Sequence, residues 1–378
     1  MPEPIHFSRT LDDVRDLVTE DDKGKWDSIA RVQEVSLSCG RLVFPQAQSD
    51  GYDSGLTFSP WALSQACQKL GMPASYFKRC PPELQDAQFN HWARNLHIGR
   101  EFTRADTEPE EVWTVRCKGA NVRGVMSGQY ARLDNMQLLD VLFPVLAGTR
   151  YKVGLVQLSP ESLHLRLIEP NVGRDVLPDD RLLVGVHIAN SEIGLRAVTV
   201  DAVVFRVVCT NGLIRRTNHK SLLKQRHIHV DTPRFQSLLE RAVGEAVAVA
   251  AGFIEQMALA TKTTVPDPQA AVELLGQAWG LPKSTVELVQ FNLYGEGGQS
   301  HTLYGLTNAI TLAAQRLPAE DRFHLETVVG LLVDSTASGQ AERQLRTRVL
   351  TAKPTVPTLV EPIGLFAPTG RVFAAAPA

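Results

Sequence analysis

Residues 181–230, RLLVGVHIANSEIGLRAVTVDAVVFRVVCTNGLIRRTNHKSLLKQRHIHV, constrain the fold more than any other stretch of the chain. Three runs rich in Val, Ile and Leu, RLLVGVHIA, LRAVTV and AVVFRVVC, alternate with two polar breaks, Asn190-Ser191-Glu192-Ile193-Gly194 and Thr210-Asn211-Gly212. Short branched runs bounded by Gly and Asn read as strands of a buried sheet. Asn211-Gly212 predicts a tight hairpin turn, because a type I′ turn needs positive φ at both central residues and these two supply it at low cost. After residue 212 the stretch carries five Lys/Arg and no acid. A buried sheet therefore hands directly onto a basic segment.

The flanking sequence extends this reading. VWTVRC and VRGVMS are strand-like around Gly119, YARLDNMQLLDVLFPVLAG (130–148) has helical periodicity, and YKVGLVQLS with SLHLRLIEP flanks Pro160 as a hairpin. A helix followed by sequential strands predicts an α+β fold. Its centre is a mostly antiparallel sheet with that helix packed on one face. From Thr232 the periodicity turns helical, with helices expected near 233–263, 267–279, 284–294, 300–317, 319–334 and 339–350, so the C-terminal region is all-helical. Helices are also expected near 10–19, 59–71 and 82–97. This divides the chain into a mixed N-terminal region (1–111), a β-rich centre (112–232), a helical region (233–350) and a Pro/Ala-rich tail (351–378).

The net charge of −2 hides an uneven distribution. Residues 112–133 carry Arg116, Lys118, Arg123 and Arg132 without an acid, and residues 202–230 carry Arg206, Arg215, Arg216, Lys220, Lys224 and Arg226 without one. The rest of the chain then holds −12. Segregation of this kind can attract a polyanion despite a near-neutral total. Five cysteines with no C-x-x-C spacing suit a reducing, cytoplasmic setting. The most Ala/Val-rich segment, 241–260, is interrupted by Arg241, Glu245 and Glu255 and is not expected to span a membrane.

No phosphate-binding glycine loop, dinucleotide fingerprint, H-E-x-x-H or G-x-S-x-G occurs, and no cofactor is implied. His227 and His229 share one face of an extended segment with Asp231 nearby, which makes them the candidate metal ligands if the chain holds one. Asn190, Ser191, Gly194, Asn211 and Gly212 are read as structural turn residues.

Four segments carry a family resemblance: TFSPWALSQACQKLGMPASYFKR (57–79), YARLDNMQLLDVL (130–142), IANSEIGLRAVTVDAVVFRVVCTNGLI (188–214) and TLYGLTNAITLAAQRL (302–317). NSxxG followed by R-x-V-C-T-N-G is the specific part. Together they resemble the bacterial, phage and plasmid family catalogued as domain of unknown function 932. The resemblance implies a mobile-element setting, where DNA replication, recombination and defence proteins are frequent. The order of a helix, a strand meander and further helices is also similar to phage single-strand annealing proteins, in architecture alone.

The expected function is therefore binding of nucleic acid, single-stranded DNA in particular, by a non-enzymatic homo-oligomer. Arg215, Arg216, Lys220, Lys224 and Arg226, with Arg116, Lys118 and Arg123, would line a phosphate-binding groove. The alternatives are a metal-dependent hydrolase or nuclease using His227, His229 and Asp231, or polar side chains near Asn190 and Asn211, and a scaffold or host-interaction protein that docks partners on its helical third.

Overall fold

A computed structural model describes residues 9–95, 112–207, 212–215, 221–228, 230–334 and 340–352, with 212–215 and 342 described in their backbone alone. The N-terminal part contains α1 (Leu11–Asp22), β1 (Lys25–Arg31), the small hairpin β2–β3 (Ser36–Ser38, Arg41–Val43), α2 (Pro45–Ser49) and β4 (Thr57–Phe58). After these come α3 (Pro60–Lys69), α4 (Ala74–Phe77) and α5 (Pro82–Arg94). Ser59 starts α3 as the sequence suggests: its hydroxyl accepts from the Ala62 amide, and Pro60 fills the first helical position. β5 (Val112–Lys118) and β6 (Asn121–Ser127) turn at Gly119, whose φ of 53° lies in the left-handed region. This hairpin does not join the strands that follow it. It completes a four-stranded sheet, β1-β5-β6-β4, over a core that includes Trp113, Phe89, Phe77 and Leu56.

The second sheet is antiparallel and runs β11-β10-β9-β8-β7, with β12 pairing part of β10. Its strands are β7 (Lys152–Leu158), β8 (Leu163–Leu177), β9 (Asp180–Asn190), β10 (Val198–Arg206), β11 (Gly212–Arg215) and β12 (Leu223–Gln225). The expected hairpin between β10 and β11 forms, but Gly212 pairs with Phe205 inside the ladder. The connection is therefore longer than a two-residue Asn211-Gly212 turn, and Asn211 itself lies outside the described residues.

Side-chain alternation gives this sheet two different faces. Leu163, Leu165 and Leu167 on β8, Val184, Val186 and Ile188 on β9, and Val198, Val200, Ala202 and Val204 on β10 all enter one aliphatic core. The helix lying across that face is α7 (Thr232–Ala260), which packs on β8, β9 and β10. The sequence assigned this place to α6 (Asn135–Leu146), which instead packs between α1 and α7. α7 is the one helix among the described residues long and apolar enough to cross a bilayer. Its buried Phe235, Leu239, Val243, Ala246, Ala250 and Phe253 sit in the sheet core.

α8 (Pro268–Trp279), α9 (Lys283–Gly295), α10 (Leu303–Ala314), α11 (Ala319–Val333) and α12 (Gln340–Leu350) complete the helical C-terminal region and share the same core. α11 is buried on several sides. Leu325, Val329 and Leu332 join the aliphatic cluster, while Phe323 packs against Val203 on the other face of the sheet.

Candidate functional site

The NSEIG break at the end of β9 is buried from Asn190 to Ile193, and only its Gly194 is exposed. Asn190 Nδ2 donates to the Leu133 carbonyl at 3.0 Å and to Asn135 Oδ1 at 2.9 Å. Ser191 Oγ donates to the Glu161 carbonyl at 2.7 Å and accepts from the Leu195 amide at 3.1 Å. The Ile193 carbonyl receives Trp61 Nε1 at 3.0 Å and Gln65 Nε2 at 2.9 Å, both from α3. Gly194 has φ of 74°, which favours glycine there. The motif is thus a clasp that fastens the second sheet to the first sheet and to α3.

Glu192 is the centre of that clasp. Its carboxylate takes Lys25 Nζ at 2.8 Å, Arg123 Nη2 at 2.7 Å and the Asn135 amide at 3.0 Å, and its side chain is 2% exposed. Burial alone would raise its pKa, but the charges of Lys25 and Arg123 and the bonds from Lys25 and Asn135 bring it down to about 2. Beside it, Arg116 reaches Asp27 at 2.9 Å, Asp134 at 2.5 Å and the Glu192 carbonyl at 2.7 Å. Lys118 pairs with Asp21 at 2.9 Å.

These contacts correct part of the sequence reading. Arg116 and Arg123 are buried and face carboxylates contributed by β1, α6 and the clasp, so they do not line an open groove. Lys118 remains partly exposed, but it too has an acidic partner. The 112–133 window is acid-free along the chain and not in space.

The second basic window behaves differently. A groove of about 590 Å³ opens beside the clasp, between α3, β6 and the segment after β12. Lys69, Arg196 and Arg226 supply all the formal charge on its lining, with Tyr130 and His227 among the remaining wall residues. Segment 226–228 is seated by the Ala131 amide, which donates to the His227 carbonyl at 2.8 Å, and by a bridge between Tyr130 and Ile228. Lys224, on β12 two residues before Arg226, is exposed. Arg215 is described in its backbone alone, at the end of β11, while Arg216, Lys220 and His229 lie outside the described residues.

The aromatic wall fixes a proton arrangement. The Tyr130 hydroxyl donates to the Glu192 carbonyl at 2.6 Å, which leaves its oxygen to accept from His227 Nδ1 at 3.3 Å. The two rings stack at 5.3 Å with an 8° interplanar angle. Burial pushes the His227 pKa down to about 4, so the ring is neutral near pH 7. Asp231, the third candidate metal ligand, caps α7 by accepting from the Arg234 amide at 3.3 Å. No group of three or more His, Cys, Asp or Glu placed to hold a metal occurs among the described residues.

A polar row occupies the other face of the second sheet. Arg166, His187 and Asp201 are directly opposite one another on β8, β9 and β10, and all three are buried. His164, two residues before Arg166, places Nδ1 at 3.2 Å from His187 Nε2 and Nε2 at 2.9 Å from Glu320 Oε1 on α11. A carboxylate only accepts, so His164 Nε2 carries the hydrogen and His187 Nε2 donates to His164 Nδ1. Burial lowers His164 to about 4, which keeps the ring neutral. Burial opposes ionisation of Glu320, but His164's bond and Arg196's charge bring it to about 2. Phe323 stacks on both imidazoles, at 4.1 and 4.5 Å, and Arg166 pairs with Glu326 beneath it.

Sequence reasoning passed over this row and the cations Lys69 and Arg196. The row did leave a signal. In LHLRL, GVHIA and TVDAV the polar residue recurs at alternate positions within otherwise apolar strands, the pattern of a sheet buried on both faces with one of them polar. Lys69 and Arg196 left none, since each is an ordinary charged residue until folding places it.

A sequence model of the family described as domain of unknown function (DUF932) matches residues 124–328, more than half of the chain. The chain belongs to this family. The match begins within β6 and contains the clasp, the whole second sheet and the helices through most of α11, whereas segment 57–79, with α3, precedes it. Neither a curated protein nor a solved structure matches the chain.

Proposed function

We propose that the protein binds nucleic acid through the groove beside the clasp, holding the phosphates of a single strand of DNA. The observation that carries this reading is the charge of the lining: Lys69, Arg196 and Arg226 from three separate parts of the chain, and no carboxylate. Arg and Lys so placed suit phosphate oxygens and position a backbone without reading its sequence. Lys224, exposed on β12 two residues before Arg226, adds a further positive charge to this segment. A volume of about 590 Å³ falls in the range of small-ligand sites, about 300–1,000 Å³, which favours a short stretch of single strand over a duplex.

Such a groove covers few nucleotides. Strong binding then calls for several copies along one strand, so a homo-oligomer acting in strand protection or annealing is part of the proposal. Fluorescence anisotropy with labelled single- and double-stranded oligonucleotides over a salt series tests it. Binding should weaken steeply with salt, and reversing Lys69 and Arg226 together to Glu should flatten the single-strand slope by about 1.4, from roughly 0.7 per phosphate contact. Absence of binding at low salt, or a double variant that binds like the wild type, rules the reading out.

A further inference from the structure

Arg196 stands between the groove and the polar face of the second sheet. Its side chain lines the groove, and its Nη2 is 2.6 Å from Glu320 Oε2. Glu320 lies in the first turn of α11, and its second oxygen accepts from His164 Nε2 at 2.9 Å. One turn further along α11, Phe323 covers His164 and His187. Arg322 and Glu326 continue the contact, with Arg322 Nε at 3.1 Å from Glu326 Oε1 and Glu326 paired with the fully buried Arg166. The docking of α11 on the polar face therefore begins at a guanidinium that also faces the groove.

We infer that Glu320 is a built-in competitor for the groove's Arg196, so that an anionic ligand in the groove and the docked first turn of α11 oppose each other. The physical reason is repulsion between two anions at one partly buried cation. Arg196 is 22% exposed and Glu320 33%, so solvent screens the pair incompletely. A phosphate brought to Arg196 draws the guanidinium from Glu320 or adds negative charge beside it, and both outcomes weaken the link that ties α11 to Arg196. Thermodynamic linkage makes the effect reciprocal: whatever holds Glu320 on Arg196 also weakens ligand binding. The contacts around Arg166 and Phe323 do not involve the groove, so they retain the rest of α11 while its first turn loosens.

This inference rests on reading the groove as a phosphate site, and the test keeps the two apart. Hydrogen exchange across 319–333 is followed in the full chain with and without a labelled thymidine oligonucleotide, and affinities are measured for wild type, Glu320→Gln and Arg196→Gln. Exchange in the first turn of α11 should rise on binding. Glu320→Gln should bind about fivefold tighter or more, as expected of a coupled pair of sites. Arg196→Gln should bind more weakly and abolish the exchange response. The exchange arm on wild type does not depend on any variant folding. Exchange that is unchanged or slower on binding, or a Glu320→Gln affinity equal to that of wild type, overturns the inference and leaves the groove reading intact. Wild type that fails to bind at low salt removes the groove reading first, and this inference with it.

Discussion

The two acid-free windows look alike along the chain and end in opposite situations. In residues 112–133, Arg116 and Arg123 become the inward half of an ionic clasp, answered by Asp27, Asp134 and Glu192. In residues 202–230, Arg226 lines a groove whose lining carries no acid, and Lys224 stays exposed, while Arg206 turns inward to Asp180 and Glu296. Local composition reports the charge a segment brings, and tertiary contacts decide whether that charge is already spent. Buried cations of the first window tie the first sheet to α6 and the clasp, while Lys224 and Arg226 of the second stay exposed.

The largest effect should come from breaking the clasp. Replacing Arg116 with Met leaves Asp134 and Asp27 without their buried partner and should cost about 3–5 kcal/mol of stability, read as a lower urea midpoint. Removing the charge of Glu192 with Gln should act in the same direction on Arg123 and Lys25. Arg226→Gln, by contrast, should stay within about 0.5 kcal/mol. A comparable loss at Arg226 would break the distinction between the two windows.

Acid should sharpen it next. His164 and His227 stay neutral in the folded protein down to about 4, whereas the unfolded chain takes up their protons near 6.5. The unfolded state then binds more protons between those values, so stability is full above pH 6.5 and falls as pH drops toward 4. The slope should be at most about 1.4 kcal/mol per pH unit for each histidine. Glu192 and Glu320, held near 2, add a further loss as pH falls from about 4.5 toward 2. Urea midpoints at pH 7.5, 6 and 5 test the first part, and His227→Gln should flatten the slope over that range.

Reversing Lys69 and Arg226 to Glu should lower oligonucleotide affinity at least about tenfold, while the thermal midpoint stays near that of wild type. The smallest effect belongs to Lys118→Ala. Its pair with Asp21 is partly solvated, at 41% and 23% exposure, so under about 1 kcal/mol should be lost.

Much of the architecture was legible beforehand because it depends on periodicity. The helices from α7 to α12 and the strands β7 and β9 fall close to their expected places, since a long apolar repeat has few other ways to be buried, whereas β8 runs on to Leu177 and the two strands expected in LRAVTV and AVVFRVVC form the single β10. The errors occur where a partner had to be chosen. β5 and β6 read correctly as strands, but their pairing with β1 and β4 depends on segments far away in sequence. α6 read correctly as a helix, yet α7 took the sheet face because its longer apolar stripe spans three strands. The candidate site shows the same limit. Arg226 could be named from the sequence, but Lys69 and Arg196 reach it from α3 and the β9–β10 connection.

By itself, then, the sequence determined the kinds of elements, their order, the antiparallel sheet and the family. The elements and the sheet follow from local propensity and from the repeat of apolar residues along each element, and the family from the four segments that resemble it. Only the tertiary structure decided that NSEIG is a clasp, that Arg116 and Arg123 are neutralised, and that β8, β9 and β10 align Arg166, His187 and Asp201 beneath α11. A charge acts on whatever lies within a few ångströms of it, and for these residues every such neighbour comes from a distant part of the chain.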